Sequence, residues 1–298
     1  MSVEELENLR KKARNNELIG IIISLVIGII LFCIIHSFIV IIIATIIGVA
    51  ITLVCNRKTK REFILAFKET FVLESLKSVF TDLVYEPERG LEPSIIRNTG
   101  MMNMGDRYSS NDYISGKYKN IEVNQADIHI EEEYETTDEE GNTTRSWETI
   151  FKGRWMVFDF NKVFKANIQV CQKGFGNSIV NNWGTKIKYK KVLMENQIFN
   201  SKFKTYAQNE HEAFYILTPS LMERIIDLSN SVYGKLLFCF VDSKLHIGVQ
   251  NNKDSFEHGI YTKIDEEKIR REISQDIKLI TDFIDKLNLD NDLFRMEV

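Results

Sequence analysis

Residues 18–54 contain no Asp, Glu, Lys or Arg, and their only polar members are Ser24, His36, Ser37, Thr45 and Thr52. A hydrocarbon core about 30 Å thick is crossed by roughly 20 helical residues. As a single helix the 37-residue run would reach about 55 Å, too long for one span even when tilted. Divided at the adjacent polar pair His36-Ser37, it gives two spans, residues 18–35 and 38–54, each just long enough. A tight transmembrane helical hairpin is therefore expected, with His36 near the far interface. Gly20, Gly28, Ala44 and Gly48 would let its two helices approach closely.

The flanks set the expected orientation. Arg10, Lys11, Lys12 and Arg14 precede the run, and Arg57, Lys58, Lys60 and Arg61 follow it. Basic residues stay on the cytoplasmic side, so both termini are expected there. The competing arrangement, one long tilted span, would put one basic cluster outside. A cleaved signal peptide is not expected, because the run is too long and no small-x-small site follows it. The lipid bilayer is thus the first partner, with Arg57, Lys58, Lys60 and Arg61 as candidate contacts to anionic headgroups.

The 298 residues carry a net charge of −4, 44% apolar residues and 3 Pro. That excludes a disordered tail, a collagen-like fibre and a strongly basic nucleic-acid binder. Residues 63–298 hold 30 basic and 37 acidic groups, so the part beyond the basic collar is mildly acidic and no nucleic-acid partner is expected. Cys33, Cys55, Cys171 and Cys239 form no C-x-x-C pair, which leaves a zinc site unsupported. Cys171 and Cys239 lie in strand-like runs and read as buried thiols. Cys55 reads as a free thiol, with palmitoylation as the alternative.

Four segments are expected: a cytosolic N-terminal helix (1–17), the hairpin (18–54), a juxtamembrane stalk helix (55–85) and a cytosolic α+β domain (86–298). Ser2 and Glu5 fit a capping box. Phe63, Phe67, Phe71, Leu76, Val79, Phe80 and Leu83 recur at helical spacings, which predicts the stalk over residues 59–84. Residues 86–110 read as a connector. Strands are predicted over residues 113–117, 120–131 (extending towards 136), 146–160 (bulged at Gly153), 166–172, 186–194, 203–208 and 213–217. A helix capped by Thr218 starts at Pro219, and a hairpin turns about Asp242-Ser243. The last helix, 265–288, carries the stripe Ile269, Ile273, Ile277, Ile280, Ile284 and Leu287. Strands in meander order with few helices between them argue for α+β with a mainly antiparallel sheet.

Several phrases carry a family resemblance. They are Asp112-Tyr113-Ile114-Ser115-Gly116, Phe151-Lys152-Gly153-Arg154-Trp155-Met156-Val157-Phe158-Asp159-Phe160, Val192-Leu193-Met194-Glu195, and Glu212-Ala213-Phe214-Tyr215-Ile216-Leu217-Thr218-Pro219 leading into Met222-Glu223-Arg224. With Phe199 and Phe203 between them, these resemble the bacterial membrane-anchored family called domain of unknown function 3137, over roughly residues 60–290 plus the paired spans. The resemblance implies a multi-pass anchor in the bacterial cytoplasmic membrane and a cytosolic α+β domain. It brings no catalytic residues and no cofactor.

Four groups of residues are candidates for chemistry. At period two, Asp127, His129, Glu131, Glu133 and Glu135 share one strand face, which could meet a basic partner or a cation; a solvated, aggregation-resistant face is the plainer reading. The Gly-rich stretch 173–184 meets neither the P-loop nor the Rossmann pattern, but Phe175 and Trp183 would be its aromatic anchors for a ligand or partner. His129, His211, His246 and His258 belong to no catalytic motif, and each reads as structural or solvated. Asp159, Glu195 and Glu223 could do acid–base work or simply pair with Arg154 and Arg224. No metal or catalytic residue is assigned. The expected function is a membrane-anchored cytosolic binding or scaffold protein with a protein partner or homo-oligomer in the membrane. A membrane-surface enzyme, hydrolytic or lipid-modifying, and an accessory subunit of a transport complex are the alternatives.

Overall fold

A computed structural model of the chain describes residues 1–138, 141–159, 166–175 and 189–289. The fold is α+β, with two long apolar helices followed by nine antiparallel strands and further helices. It divides into two compact units, residues 1–75 with 256–274, and residues 76–255 with those from 275 onward.

In the first unit, helix α1 spans Val3–Ile35 and α2 spans Phe38–Phe67. The capping box forms: the Glu5 N–H donates to Ser2 Oγ at 3.2 Å, and the Ser2 N–H to the Glu5 carboxylate at 2.9 Å. The helix it starts does not stop at residue 17. No Gly or Pro intervenes before Gly20, and once nucleated a helix propagates at little cost, so the amphipathic start and the first apolar stretch are one element. His36 ends α1 in the left-handed region (φ 56°), its N–H donating to the Phe32 carbonyl at 2.7 Å. Both helices are long and apolar enough to cross a membrane. Ile22, Ile34, Phe38 and Ile46 lie exposed along them.

The two helices touch through a reciprocal pairing of glycine and hydroxyl. A Cβ on Gly20 would fall 2.3 Å from the Thr52 side chain, and one on Gly48 would fall 2.4 Å from Ser24 Cβ. The two hydroxyls are satisfied within their own helices, Ser24 Oγ donating to the Gly20 carbonyl at 2.7 Å and Thr52 Oγ1 to the Gly48 carbonyl at 2.8 Å. At the open end of the hairpin, Asn56 Nδ2 donates to the Ala13 carbonyl at 2.7 Å.

Beyond α2 the helical path continues as a π-helical stretch, Lys68–Leu73, and a short helix α3, Glu74–Lys77. Residues 256–264 return to these same helices. Arg10 Nη1 donates to the Ile260 carbonyl at 2.5 Å, Lys68 Nζ meets Glu257 at 2.7 Å, and the His258 ring stacks on Phe67 at 5.1 Å between centroids.

The second unit is built on one sheet. Its strands are β1 (Thr81–Glu86), β2 (Arg107–Tyr118), β3 (Ile121–Thr137), β4 (Thr143–Asp159), β5 (Ile168–Gln172), β6 (Lys190–Val192), β7 (Phe203–Ala207), β8 (Lys235–Val241) and β9 (Lys244–Gln250), in the order β1-β2-β3-β4-β9-β8-β5-β7-β6. The helices are α4 (Pro93–Arg97), α5 (Gln197–Lys202), α6 (Glu210–Ile216), α7 (Pro219–Ser231) and, from residue 275 on, α8 (Glu266–Leu287). The β8–β9 turn falls at Asp242-Ser243, both with positive φ, as a tight two-residue hairpin requires. The α7 cap is Thr218, whose Oγ1 accepts from the Leu221 N–H at 3.3 Å. Every member of the predicted α8 stripe is buried.

Other expectations change as well. The stalk helix does not reach residue 84, because residues 81–86 pair with β2 as an edge strand. Residues 210–216 are helical, not a strand; Asn209 caps them by accepting from the His211 N–H at 2.9 Å. The β4 irregularity lies at Ile150, since Phe151 faces Ile130 while Thr149 faces Glu131. Gly153 instead admits a close neighbour, as a Cβ there would lie 2.1 Å from the Val249 carbonyl of β9. Of the strand predicted over 186–194, residues 190–192 are β6, and residues 186–188 lie outside the described residues.

One face of the sheet is covered by the connector. Leu91, Ile96, Met101 and Met102 pack with Ile128, Phe151, Trp155 and Leu237 in a continuous core. The connector is pinned at the Thr99 carbonyl, which accepts from Gln169 Nε2 at 2.9 Å and Tyr189 Oη at 3.3 Å. On α8, the Asp276 and Lys286 carbonyls accept from Arg154 of β4 and Arg224 of α7.

Candidate functional site

The acidic face of β3 is not a uniform row of carboxylates. Its inner member, Asp127, is 2% exposed and lies opposite Arg154 on β4, with Arg154 Nε 3.7 Å from Asp127 Oδ1. The Ser255 N–H and Oγ donate to the same carboxylate at 2.5 and 3.1 Å. Burial pushes the Asp127 pKa up to about 7, against the pull of Arg154 and of the Ser255 N–H. This residue fastens the sheet and is not a surface contact.

The outer members each meet a neighbour. His129 Nε2 lies 3.2 Å from Thr149 Oγ1 and 3.7 Å from Glu131. Glu131 is 3.3 Å from Arg107. Arg145 Nε is 2.6 Å from Glu135 and 3.9 Å from Glu133. These residues stand on a ribbon. The β2 pairing ends at Arg107–Glu131, and β9 joins β4 only from Gly153. Between these limits residues 132–137 and 143–148 pair, among the described residues, only with each other in the sheet. Tyr134 and Trp147 are 42% and 40% exposed on this ribbon, and the Arg107 guanidinium stacks 3.8 Å over the Trp147 ring.

The other candidates separate. Phe175 is buried against Phe151 in the core, with ring centroids 6.3 Å apart, and Trp183 lies outside the described residues. Arg57, Lys58, Lys60 and Arg61 are exposed along α2. Asp159 at the end of β4, Glu195 in the loop between β6 and α5, and Glu223 on α7 are all exposed. Cys171 and Cys239 are buried free thiols, and burial pushes the Cys171 pKa up to about 12. Among the described residues, no group of His, Cys, Asp and Glu side chains is placed to hold a metal ion.

A cleft that the sequence did not announce opens beneath α4. It has a volume of about 380 Å³. Its apolar wall is Leu91, Ile95, Val157 and Val241; its polar wall includes Asn98, Asp242, Lys244 and His246. Tyr113 and Asn124 close one end, the Tyr113 hydroxyl donating to Asn124 Oδ1 at 2.8 Å. His246 is 6% exposed, and burial lowers its pKa to about 4, leaving a neutral ring. Trp155 Nε1 lies 3.4 Å from His246 Nδ1. An indole N–H can only donate, so Nδ1 accepts and the imidazole hydrogen sits on Nε2. No spacing rule links these residues, because β4 and β9 are brought together only by the strand order.

No curated protein matches. The crystal structure of the mycobacterial trehalose monomycolate transport factor A, TtfA, is similar with a TM-score of 0.35 at 9% identity, covering 70% of this chain and 88% of that one. A likeness of that size bears on neither fold nor function. The phrase at residues 112–116 lies outside the segment that the family model matches, and those at 151–160, 192–195, 212–219 and 222–224 lie inside it. Residues 149–289 match the family described as protein of unknown function (DUF3137), the one its motifs resemble.

Proposed function

We propose that this chain is a membrane-anchored binding protein and that the β3–β4 ribbon is the surface it offers to a protein partner. The observation that carries this reading is the ribbon itself, a two-stranded extension that exposes Tyr134 and Trp147 and leaves open the β4 edge and the β3 edge beyond Glu133, whose N–H donates to Asp106 Oδ2 at 2.9 Å. Open edges accept an added strand. The charge selects which strand: residues 131–149 contain eight carboxylates against Arg145 alone, so a basic segment is favoured and self-pairing is discouraged. A photocrosslinking residue in place of Trp147, in the full chain in its native membrane, should give one discrete adduct. That adduct should disappear when Glu131, Glu133 and Glu135 are changed together to Lys. An adduct indifferent to that reversal, or none at all, would sink the reading. An adduct of twice the chain mass would identify the partner as a second copy.

The anchor is the α1–α2 hairpin, with both of its ends in the cytoplasm of a bacterial cell. The Asn56–Ala13 hydrogen bond supports this by holding the two basic flanks at the same end of the hairpin. Arg57, Lys58, Lys60 and Arg61 would then face anionic headgroups. Protease should digest the sheet unit in inverted vesicles and spare it in intact spheroplasts; the opposite pattern overturns the orientation.

A further inference from the structure

The cleft beneath α4 has the makings of a built site. Its volume of about 380 Å³ is in the range of small-molecule pockets, about 300–1,000 Å³. It is formed within the second unit from the connector and from strands β2, β3, β4, β8 and β9, so the sheet itself holds its walls in place.

The lining says what would fit. Leu91, Ile95, Val157 and Val241 make an apolar bed. His246, more than nine-tenths buried, lines the cleft, and its Nδ1 is occupied by Trp155. Its Nε2–H makes no hydrogen bond among the described residues and is not among the fully buried atoms left without a partner, so a ligand in the cleft can accept from it. The β8–β9 hairpin contributes one full charge of each sign, Asp242 on its turn and Lys244 at the start of β9, and the connector adds the Asn98 amide.

A simple carboxylate could use Lys244 and the His246 N–H, but it would face Asp242. A simple amine could use Asp242, but it would face Lys244. A molecule carrying both groups leaves neither wall charge unanswered. We infer that the cleft binds a small zwitterion with an apolar body, the chemistry of a free apolar amino acid. Its carboxylate meets Lys244 and the His246 N–H, its ammonium meets Asp242, and its side chain lies on the Leu91–Ile95–Val157–Val241 bed.

Three probes of one shape test this by calorimetry on the full chain in nanodiscs of zwitterionic lipid: L-leucine, 4-methylpentanoate, which lacks the ammonium, and 3-methylbutylamine, which lacks the carboxylate. Leucine should bind one per chain, with each analogue at least about tenfold weaker. Asp242→Asn should bring leucine down to the affinity of 4-methylpentanoate, and Lys244→Met should bring it down to that of the amine. Asp242 is exposed on the β8–β9 turn and Lys244 is exposed at the start of β9, so neither variant should disturb folding. No leucine binding up to about 10 mM, well above the concentrations at which small pockets saturate, would overturn the inference. Equal affinity for the three probes, or affinities that neither variant changes, would do the same.

Discussion

Asp127 and Arg154 show how one residue can be read correctly for type and wrongly for place. Period two put Asp127 on the face of Glu131, Glu133 and Glu135, and the strand does alternate that way. What the sequence could not supply was depth, because only the register of β4 and the position of Ser255 bury this end of the face. Removing one partner of a buried ion pair leaves the other stranded, typically at about 3–5 kcal/mol. Arg154 keeps its contacts with Asp276, so Asp127→Ala should cost the full chain less than that in denaturant unfolding, about 1–3 kcal/mol, with Asp127→Asn milder because it can keep a Ser255 bond. A loss below about 1 kcal/mol would mean that the pair contributes little beyond packing. Phe175 teaches the same lesson, since an aromatic in a Gly-rich stretch looked available but belongs to the core beside Phe151. His246 fails in the other direction: nothing near it in sequence marks it, and its surroundings come from β4 and the connector.

Among whole elements, those with a local signal were legible. The Ser2–Glu5 box, the His36-Ser37 break, the Thr218 cap and the Asp242-Ser243 turn each declare themselves within a few residues. Residues 81–86 did not, because Leu76, Val79, Phe80 and Leu83 keep helical spacing across the point where the Val79 and Phe80 N–H groups close the last turn on the Leu76 carbonyl. There the pairing with β2 overrides the periodicity. Residues 210–216 were misread for the opposite reason: their β-forming Phe214, Tyr215 and Ile216 outweighed a good Asn209 cap. The α1–α2 seam offers a sharp test at this scale. Gly48→Ala would press a methyl group against Ser24 and should cost about 1–3 kcal/mol, as overpacking does. Adding Ser24→Gly should return most of that stability in detergent unfolding assays, since it moves the bulk to the other helix without changing the sum. A double variant no more stable than the single one would show that the two helices do not rely on this contact.

For the molecule as a whole, two buried groups pull against each other with pH. His246 has its pKa lowered from 6.5 to about 4, so between those values the unfolded chain takes up a proton that the folded chain refuses. Its contribution is intact above pH 6.5 and lost as the pH falls through that window. Asp127 has its pKa raised from 3.8 to about 7, so the folded chain keeps a proton that the unfolded chain has released. Its contribution is greatest below pH 3.8 and lost as the pH rises to about 7. The slopes oppose each other across the shared window. Asp127→Asn should therefore leave a chain that weakens on acidification, and His246→Gln one that strengthens. Parallel unfolding midpoints against pH for the parent and both variants would refute the opposition. The strand order has a different consequence, in time. β4 is complete at residue 159, but its neighbour β9 ends at residue 250. Chains are made at about 5–20 residues per second, so during synthesis the inner edge of β4 waits roughly 5 to 20 s for its partner. The ribosome's pace thus sets how long an aggregation-prone edge stands open, and a slow stretch of codons between the two strands would lengthen that exposure.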